Sequence, residues 1–244
     1  FIMKEIKENR YECLYPMEEE TLLLLAQHRS EISKYTYLLI PDSQKIEFVR
    51  DKGSLLRFAE AHGIPIPKTF YEPPTPEPCK VQGSGPESDV VQDSPASNVV
   101  QGLASQLDSI PVPAVIKPRI SSGSFGIAYV KRKEDFLPLY QKIHARYPFP
   151  LIQEWIPDGG GTFGFSALFD EGSKVKAAFI HKKLRMYPIQ GGPSTLREGV
   201  QHSQIMELGL SLLKSLNWTG VAMAEFKVDP RDGTPKLIDV NPRF

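Results

Sequence analysis

The chain carries no excess of charge of either sign: 29 Lys and Arg balance 29 Asp and Glu. A net charge of zero creates no whole-molecule field to attract a polyanion, so neither nucleic acid nor a membrane is expected as a partner. Cysteine is scarce. Cys13 and Cys79 lie far apart and in no metal-ligand spacing, which excludes a disulfide framework and fits a reducing compartment; the expected location is the cytoplasm. No apolar run reaches membrane-spanning length, and no signal-peptide pattern opens the chain. The first residues, Phe1-Ile-Met-Lys, and the last, Asn241-Pro-Arg-Phe244, read as cuts inside a longer chain. What is present, 244 residues with 41% apolar and 24% charged content, is the composition of a globular protein able to bury one large or two ordinary cores.

The richest stretch is the last, Val221 to Phe244. It reads as two strands joined by the turn Asp229-Pro-Arg-Asp-Gly233, where proline presets φ and glycine supplies a positive one. Glu225 is the only acid in the first strand. In the second, Asp239 and Asn241 are two apart and share a face, while Ile238 and Val240 take the other. If the strands pair, one face holds two carboxylates and an amide oxygen, hard ligands of the kind that hold Mg²⁺ beside phosphates, with the fork of Arg243 one step on. An ordinary amphipathic hairpin with its polar face in water explains these residues equally well.

Earlier residues supply cations and small-residue loops. Met17–Ile32 reads as a helix with acids in its first turn, flanked by short strands at Tyr11–Pro16 and Tyr37–Pro41, an α/β layer. A second helix, Asp51–His62, has Lys52 in its first turn, where a lysine opposes the helix dipole. Residues 72–108, rich in Pro, Gly, Ser and Gln, read as a disordered or loop insertion. Val112–Pro118 is a buried strand bearing Lys117, and Arg119–Gly126 is a Gly/Ser loop, followed by a returning strand, Ile127–Val130. A strand lysine before such a loop suits phosphate binding, and a plain hairpin with a surface lysine suits it too. A helix over Lys133–Tyr147 precedes the strand Leu151–Ile156. Two further strands, Thr162–Phe169 and Lys174–Leu184, end in His181-Lys-Lys-Leu-Arg185, where alternation places His181, Lys183 and Arg185 on one face, and residues 188–199 read as a polar loop. Gln201–Leu216 is the clearest amphipathic helix.

Several nucleotide-binding patterns are missing. There is no Gly-x-x-x-x-Gly-Lys-Ser/Thr loop, no Gly-x-Gly-x-x-Gly after the first strand, and no His-Arg-Asp or Asp-Phe-Gly, which sets aside P-loop, dinucleotide-binding and protein-kinase folds. The order of what remains resembles the ATP-grasp superfamily. Lys52 is followed by Ile-Pro-Ile-Pro-Lys-Thr, Pro-Ala-Val-Ile-Lys117-Pro, Ser-Ser-Gly-Ser-Phe-Gly and Ile-Gln-Glu-Trp-Ile. Then come the basic strand, Gly-Gly-Pro-Ser-Thr, Ala-Glu225-Phe and Asp239-Val-Asn-Pro-Arg. The series is most similar to the carboxylate–amine ligase branch that includes the large chain of carbamoyl-phosphate synthetase.

The resemblance implies an α/β (α+β) fold of two α+β lobes clasping a nucleotide. A partial pre-ATP-grasp α/β lobe spans 1–50 and the ATP-grasp domain 51–244, with a small lid lobe at 112–148 and a nucleotide and metal lobe at 149–244. It implies that Lys52 and Lys117 contact ATP phosphates, and that Ser121, Ser122, Gly123, Ser124 and Gly126 belong to the loop over the triphosphate. Gln153, Glu154, Trp155 and Ile156 fall in the adenine segment. Glu225, Asp239 and Asn241 are the implied ligands of Mg²⁺, which Mn²⁺ can replace. Arg243 stabilises an acyl phosphate, with Lys183 and Arg185 near phosphate and substrate. The implied reaction is ADP-forming ligation of a small-molecule carboxylate to an amine or thiol; a homodimer is compatible with it. Where the family usually has Glu as its second metal carboxylate, this chain has Asp239. The alternative is an ATP-binding regulatory or scaffolding module without ligase activity.

Overall fold

The computed structural model describes residues 1–71, 110–121, 125–187 and 192–243. All of the 72–108 insertion, Ser122, Gly123 and Ser124 of the Gly/Ser loop, and residues 188–191 lie outside the described residues. The chain divides into two compact units. One comprises 1–67, 120–124 and 156–244, the other 68–119 and 125–155.

The larger unit opens with helices α1 (Ile2–Glu8), α2 (Glu19–Gln27), α3 (Arg29–Ile32), α4 (Ser43–Arg50) and α5 (Lys52–Ala61). The expected helix over 17–32 is therefore broken at His28 into α2 and α3. The strands expected on either side of it reduce to one isolated parallel bridge, Cys13 with Tyr37. Helix α4 was not visible as periodicity. Its signal is the cap, since Asp42 accepts from the Lys45 N–H at 2.8 Å. A local apolar cluster, including Leu22, Leu25, Ile32, Leu38 and Ile46, closes this part of the unit.

Helix α5 begins one residue after α4 ends, and Asp51 makes that junction. Its carboxylate accepts from the Gly53 N–H at 2.9 Å and from the Ser54 hydroxyl at 3.0 Å. Asp51→Ala should cost about 1 kcal/mol of stability, the usual loss for an N-cap, read as a shift in the urea midpoint.

The sheet of this unit is antiparallel, in the order β7-β6-β5-β8-β9, from β5 (Thr162–Phe169), β6 (Val175–Met186), β7 (Ser194–Val200), β8 (Gly220–Val228) and β9 (Pro235–Asn241). Strand alternation gives it two chemically different faces. Phe163, Phe165, Phe169, Ala222, Ala224, Phe226, Leu237 and Val240 join one core with Ile205, Leu212 and Leu213 of the last helix, Ser203–Ser215. Gly209 of that helix is small because a Cβ there would stand 2.3 Å from the Phe165 ring. Trp218 follows the helix, fully buried, its indole N–H donating to the Val221 carbonyl at 3.1 Å.

Strand β7 occupies part of the stretch expected to be a loop. Five of its seven residues are exposed, so it carries no apolar alternation and owes its form to pairing with β6. A second departure lies in β9. The register with β8 slips after Glu225: Glu225 pairs with Asp239, and Phe226 pairs with Leu237. Ile238 is the extra residue. Leu237 and Val240 therefore both enter the core, and Ile238, expected there, does not. The bulge lets Asp239 face Glu225 while keeping two apolar residues inside.

The smaller unit is a second antiparallel sheet, β1-β4-β2-β3, from β1 (Thr69–Phe70), β2 (Ala114–Lys117), β3 (Ala128–Val130) and β4 (Leu151–Glu154). Helix α6 (Phe136–Arg146) packs Phe136, Tyr140 and Ile143 against Ile116, Val130 and Ile152. Gly126 precedes β3 at φ +78°, and a Cβ there would meet the Tyr147 ring at 2.6 Å. Only glycine meets both demands. The C-terminal helix Ser203–Ser215 is α7 in chain order. Among the described residues no helix is long and apolar enough to cross a membrane.

Candidate active site

The polar face of the five-stranded sheet is built from one row of residues in register. His181 on β6 faces Gly164 on β5, Gly164 faces Glu225 on β8, and Glu225 faces Asp239 on β9. Asn241 lies opposite Met223, two residues along the same face from Asp239. The acids do not stand bare. Lys183 Nζ lies 2.8 Å from Glu225 Oε1, with the lysine side chain only 6% exposed. Lys52 Nζ lies 3.3 Å from Asp239 Oδ2 and donates to the Ser121 carbonyl at 2.9 Å. The other oxygen of Asp239 accepts from the Val240 N–H at 3.0 Å. Each carboxylate is thus paired with a nearly buried ammonium.

Lys52 reaches Asp239 because α5 starts at this residue. Its position at the positive end of a helix is unfavourable for a lysine, and Asp239 and the Ser121 carbonyl offset that. Lys183 spans from β6 past β5 to β8. The alternation expected to carry Arg185 onto the same face fails at a bulge. Lys183 pairs with Arg197, but Arg185 pairs with Leu196, one residue out of phase, and Arg185 is exposed.

In the sequence His181 is only one residue of a basic strand end. It is 4% exposed, and among the described residues its Nε2 meets no hydrogen-bond partner. Burial, and after it the charges of Arg197 and Lys183, pushes its pKa down to about 4, so the ring is neutral at neutral pH.

Arg243, just past β9, lines a cavity of about 520 Å³ with Ser121, Arg50 and the three acids Glu18, Glu19 and Glu20. Glu19 is committed to Arg50 in an ion pair.

In the smaller unit Lys117 is 6% exposed at the end of β2. Gln153 is buried on β4 and donates to the Thr69 hydroxyl at 2.7 Å. The Glu154 carboxylate accepts from the Lys68 N–H at 3.0 Å, and the Glu154 N–H donates to the Lys68 carbonyl at 2.9 Å. Trp155 donates its N–H to the Pro113 carbonyl at 3.1 Å and sets its ring edge-on to Tyr129 at 4.9 Å. Gln153, Glu154 and Trp155 are therefore tied into their own sheet, and Ile156, 5% exposed, follows in the larger unit.

No family model matches the sequence. A curated relative, the D-aspartate ligase of Enterococcus faecium (strain Aus0004), is 25% identical over 236 residues, covering 90% of this chain and 50% of the relative. The biotin carboxylase domain of Hydrogenobacter thermophilus 2-oxoglutarate carboxylase, in complex with MgADP and bicarbonate, aligns with all of this chain and 50% of its own at a TM-score of 0.68 and 16% identity. D-alanine–D-alanine ligase of Bacillus anthracis, complexed with ATP, aligns with 88% of this chain and 61% of its own at a TM-score of 0.56 and 17% identity. The chain has the ATP-grasp fold. It spans about half the length of the relative and of the first of these structures.

On the ATP-grasp scaffold the acid row can be tested for its fit to a divalent ion. Among the described residues no group of three or more His, Cys, Asp or Glu side chains is placed to hold a metal ion. Two paired carboxylates and one amide do not make a complete cage for a metal. They do suit Mg²⁺, which keeps several waters and is typically held by one or two carboxylates together with substrate phosphates.

Proposed function

We propose that this chain carries the nucleotide and metal site of an ATP-dependent, ADP-forming carboxylate–amine ligase. The observation that carries this reading is the pairing of Glu225 with Asp239, each held by its own nearly buried lysine. When Mg²⁺ is bound, Glu225, Asp239 and Asn241 would hold it, and it would neutralise charge on the nucleotide phosphates. Lys183 and Lys52 would then exchange their carboxylate partners for phosphate oxygens, so nucleotide and metal enter together. On the resemblance, Lys117 is assigned a further phosphate contact and Gln153 to Ile156 the adenine segment.

The reaction needs alignment and charge neutralisation more than a general base. A substrate carboxylate oxygen attacks the γ-phosphorus and ADP leaves. The amine then attacks the carbonyl carbon of the acyl phosphate, releases inorganic phosphate and loses a proton. Arg243, at the end of β9, is placed by the same assignment beside the acyl phosphate. The cavity it lines carries charge of both signs, which suits a small substrate bearing both a carboxylate and an ammonium group. The D-aspartate ligase relative makes D-aspartate the first carboxylate to try.

The expected result is ADP release from MgATP that requires D-aspartate, or another small amino acid, together with an amine acceptor. ADP release at the same rate without any added carboxylate would refute the ligase assignment. The exchange of partners also predicts that Mg²⁺ alone leaves the melting temperature unchanged, whereas MgATP at about a hundred times its dissociation constant adds roughly 2.7 kcal/mol.

A further inference from the structure

The acid row reaches the outer edge of the sheet at β7, where Gly199 faces His181. Glycine thus stands on both sides of the histidine, and the two positions differ. The space over Gly164 is filled, since a Cβ there would stand 2.3 Å from His181 Cε1. The space over Gly199 is open: among the described residues nothing lies within 4 Å of the place its Cβ would take. The imidazole leans inward over β5 and leaves the β7 end of the row bare.

The rows on either side of this gap carry opposite chemistry. Arg197, two residues along β7 from Gly199, faces Lys183 and so shares the polar face. It is exposed, no carboxylate among the described residues pairs with it, and its charge is felt at His181. On the other side Phe179 of β6 faces Ser166, in the row that runs on through Met223 to Asn241. Phe179 is 53% exposed, and its ring centroid stands 6.1 Å from that of His181. A single exposed phenyl is ordinary on a protein surface. Here it borders an empty floor with a guanidinium across it, which together suit a ligand that joins an anion to an apolar body.

Of the three reactants of a carboxylate–amine ligase, the nucleotide is assigned to the acid row and the carboxylate to the cavity beside Arg243. The amine has no assigned place, and it must reach the acyl carbon from a side that the nucleotide leaves free. We propose that the amine substrate carries a carboxylate and an apolar body, and that it enters over Gly199 with the carboxylate on Arg197 and the apolar part on Phe179. The inference rests on the ligase reading above and names the class of its second substrate. The amine attacks as the free base, so the anion and the apolar body are what this edge can recognise.

The test uses the 244-residue chain with MgATP, D-aspartate and one of three amines. Phenylalanine carries both features, phenylalaninamide lacks the carboxylate, and hydroxylamine lacks both and reports the acyl phosphate as a hydroxamate. The parent should use phenylalanine with a kcat/KM about tenfold above that for phenylalaninamide, the scale of one charge-assisted hydrogen bond. Arg197→Met should erase that preference. Gly199→Leu, which fills the open floor, should lower the use of phenylalanine relative to hydroxylamine by about tenfold, the same scale. Phe179→Ala should lower the use of phenylalanine and its amide alike, relative to hydroxylamine. A parent that forms hydroxamate without preferring phenylalanine to its amide overturns the proposal and leaves the ligase reading standing, as does a preference that survives in Arg197→Met. The parent's preference decides alone if that variant does not fold. A parent that forms no hydroxamate with D-aspartate or another small amino acid overturns both this inference and the reading it rests on.

Discussion

Replacing Glu225 by alanine should abolish magnesium-dependent nucleotide binding and weaken the nucleotide-free fold at the same time. The two effects have different causes. Glu225 is one of two carboxylates proposed to hold Mg²⁺, so its loss should raise the Kd for MgATP by at least about a hundredfold, or roughly 2.7 kcal/mol. It is also the partner of Lys183, whose side chain is 6% exposed and 2.8 Å away. Removing one member of a nearly buried pair leaves the other charged and desolvated, a cost of about 3–5 kcal/mol when burial is complete. With Glu225 itself 17% exposed, a loss of about 2–3 kcal/mol is expected in the urea midpoint without nucleotide. The double variant Lys183→Met, Glu225→Leu separates the two. It should recover most of the stability and none of the binding. Unchanged MgATP affinity in Glu225→Ala would remove the metal assignment.

The second large effect is expected at the hairpin that sets Glu225 opposite Asp239. Asp229 is 1% exposed at the start of the turn. Its carboxylate accepts from the Arg231 guanidinium at 2.8 Å and from the Arg231 N–H at 3.0 Å, and it faces Lys236 Nζ at 3.0 Å. Gly233 closes the turn at φ +76°. The hydrogen bonds from Arg231, together with Lys236, hold the carboxyl well below the usual carboxylate range in spite of its burial. The folded pKa is therefore lower than the unfolded one. The stabilisation it brings is fully present above the unfolded value of 3.8 and is lost as the pH falls below it. Asp229→Asn keeps the shape and removes the charge. It should cost about 2 kcal/mol at pH 7, given charged hydrogen bonds worth about 1.5–3 kcal/mol each in a partly exposed setting, and it should flatten the fall in stability between pH 4 and lower values. Identical acid-unfolding curves for the variant and the parent would show that the turn is held by its backbone alone.

The chemistry of the site was more legible in the sequence than its geometry. Glu225, Asp239 and Asn241 are recognisable because acids and an amide stand at strand spacing among apolar residues, and the pairing of Glu225 with Asp239 follows from the turn between their strands. The lysine partners were not legible. Lys183 is 42 residues from Glu225 and Lys52 is 187 residues from Asp239, and no local pattern reports an ion pair over such separations. Arg185 could be placed on the wrong face because a bulge interrupts the alternation, and a bulge at Ile238 reversed the expectation there in the same way. Strand β7 was missed because its exposed residues carry no period, and helix α4 because its cap is its strongest signal.

The inventory and the local form are written in the chain itself: the amphipathic helix over Ser203–Ser215, the turn at Asp229–Gly233, and the residue types able to hold metal and phosphate. These follow from short-range rules, in which periodicity, φ preference and donor chemistry are properties of neighbouring residues. Which of those residues meet is set by long-range packing. Register, bulges and the absence of a side chain at Gly164 arise from pairing between distant strands. They place a buried histidine in the acid row, where the sequence showed only one residue of a basic strand.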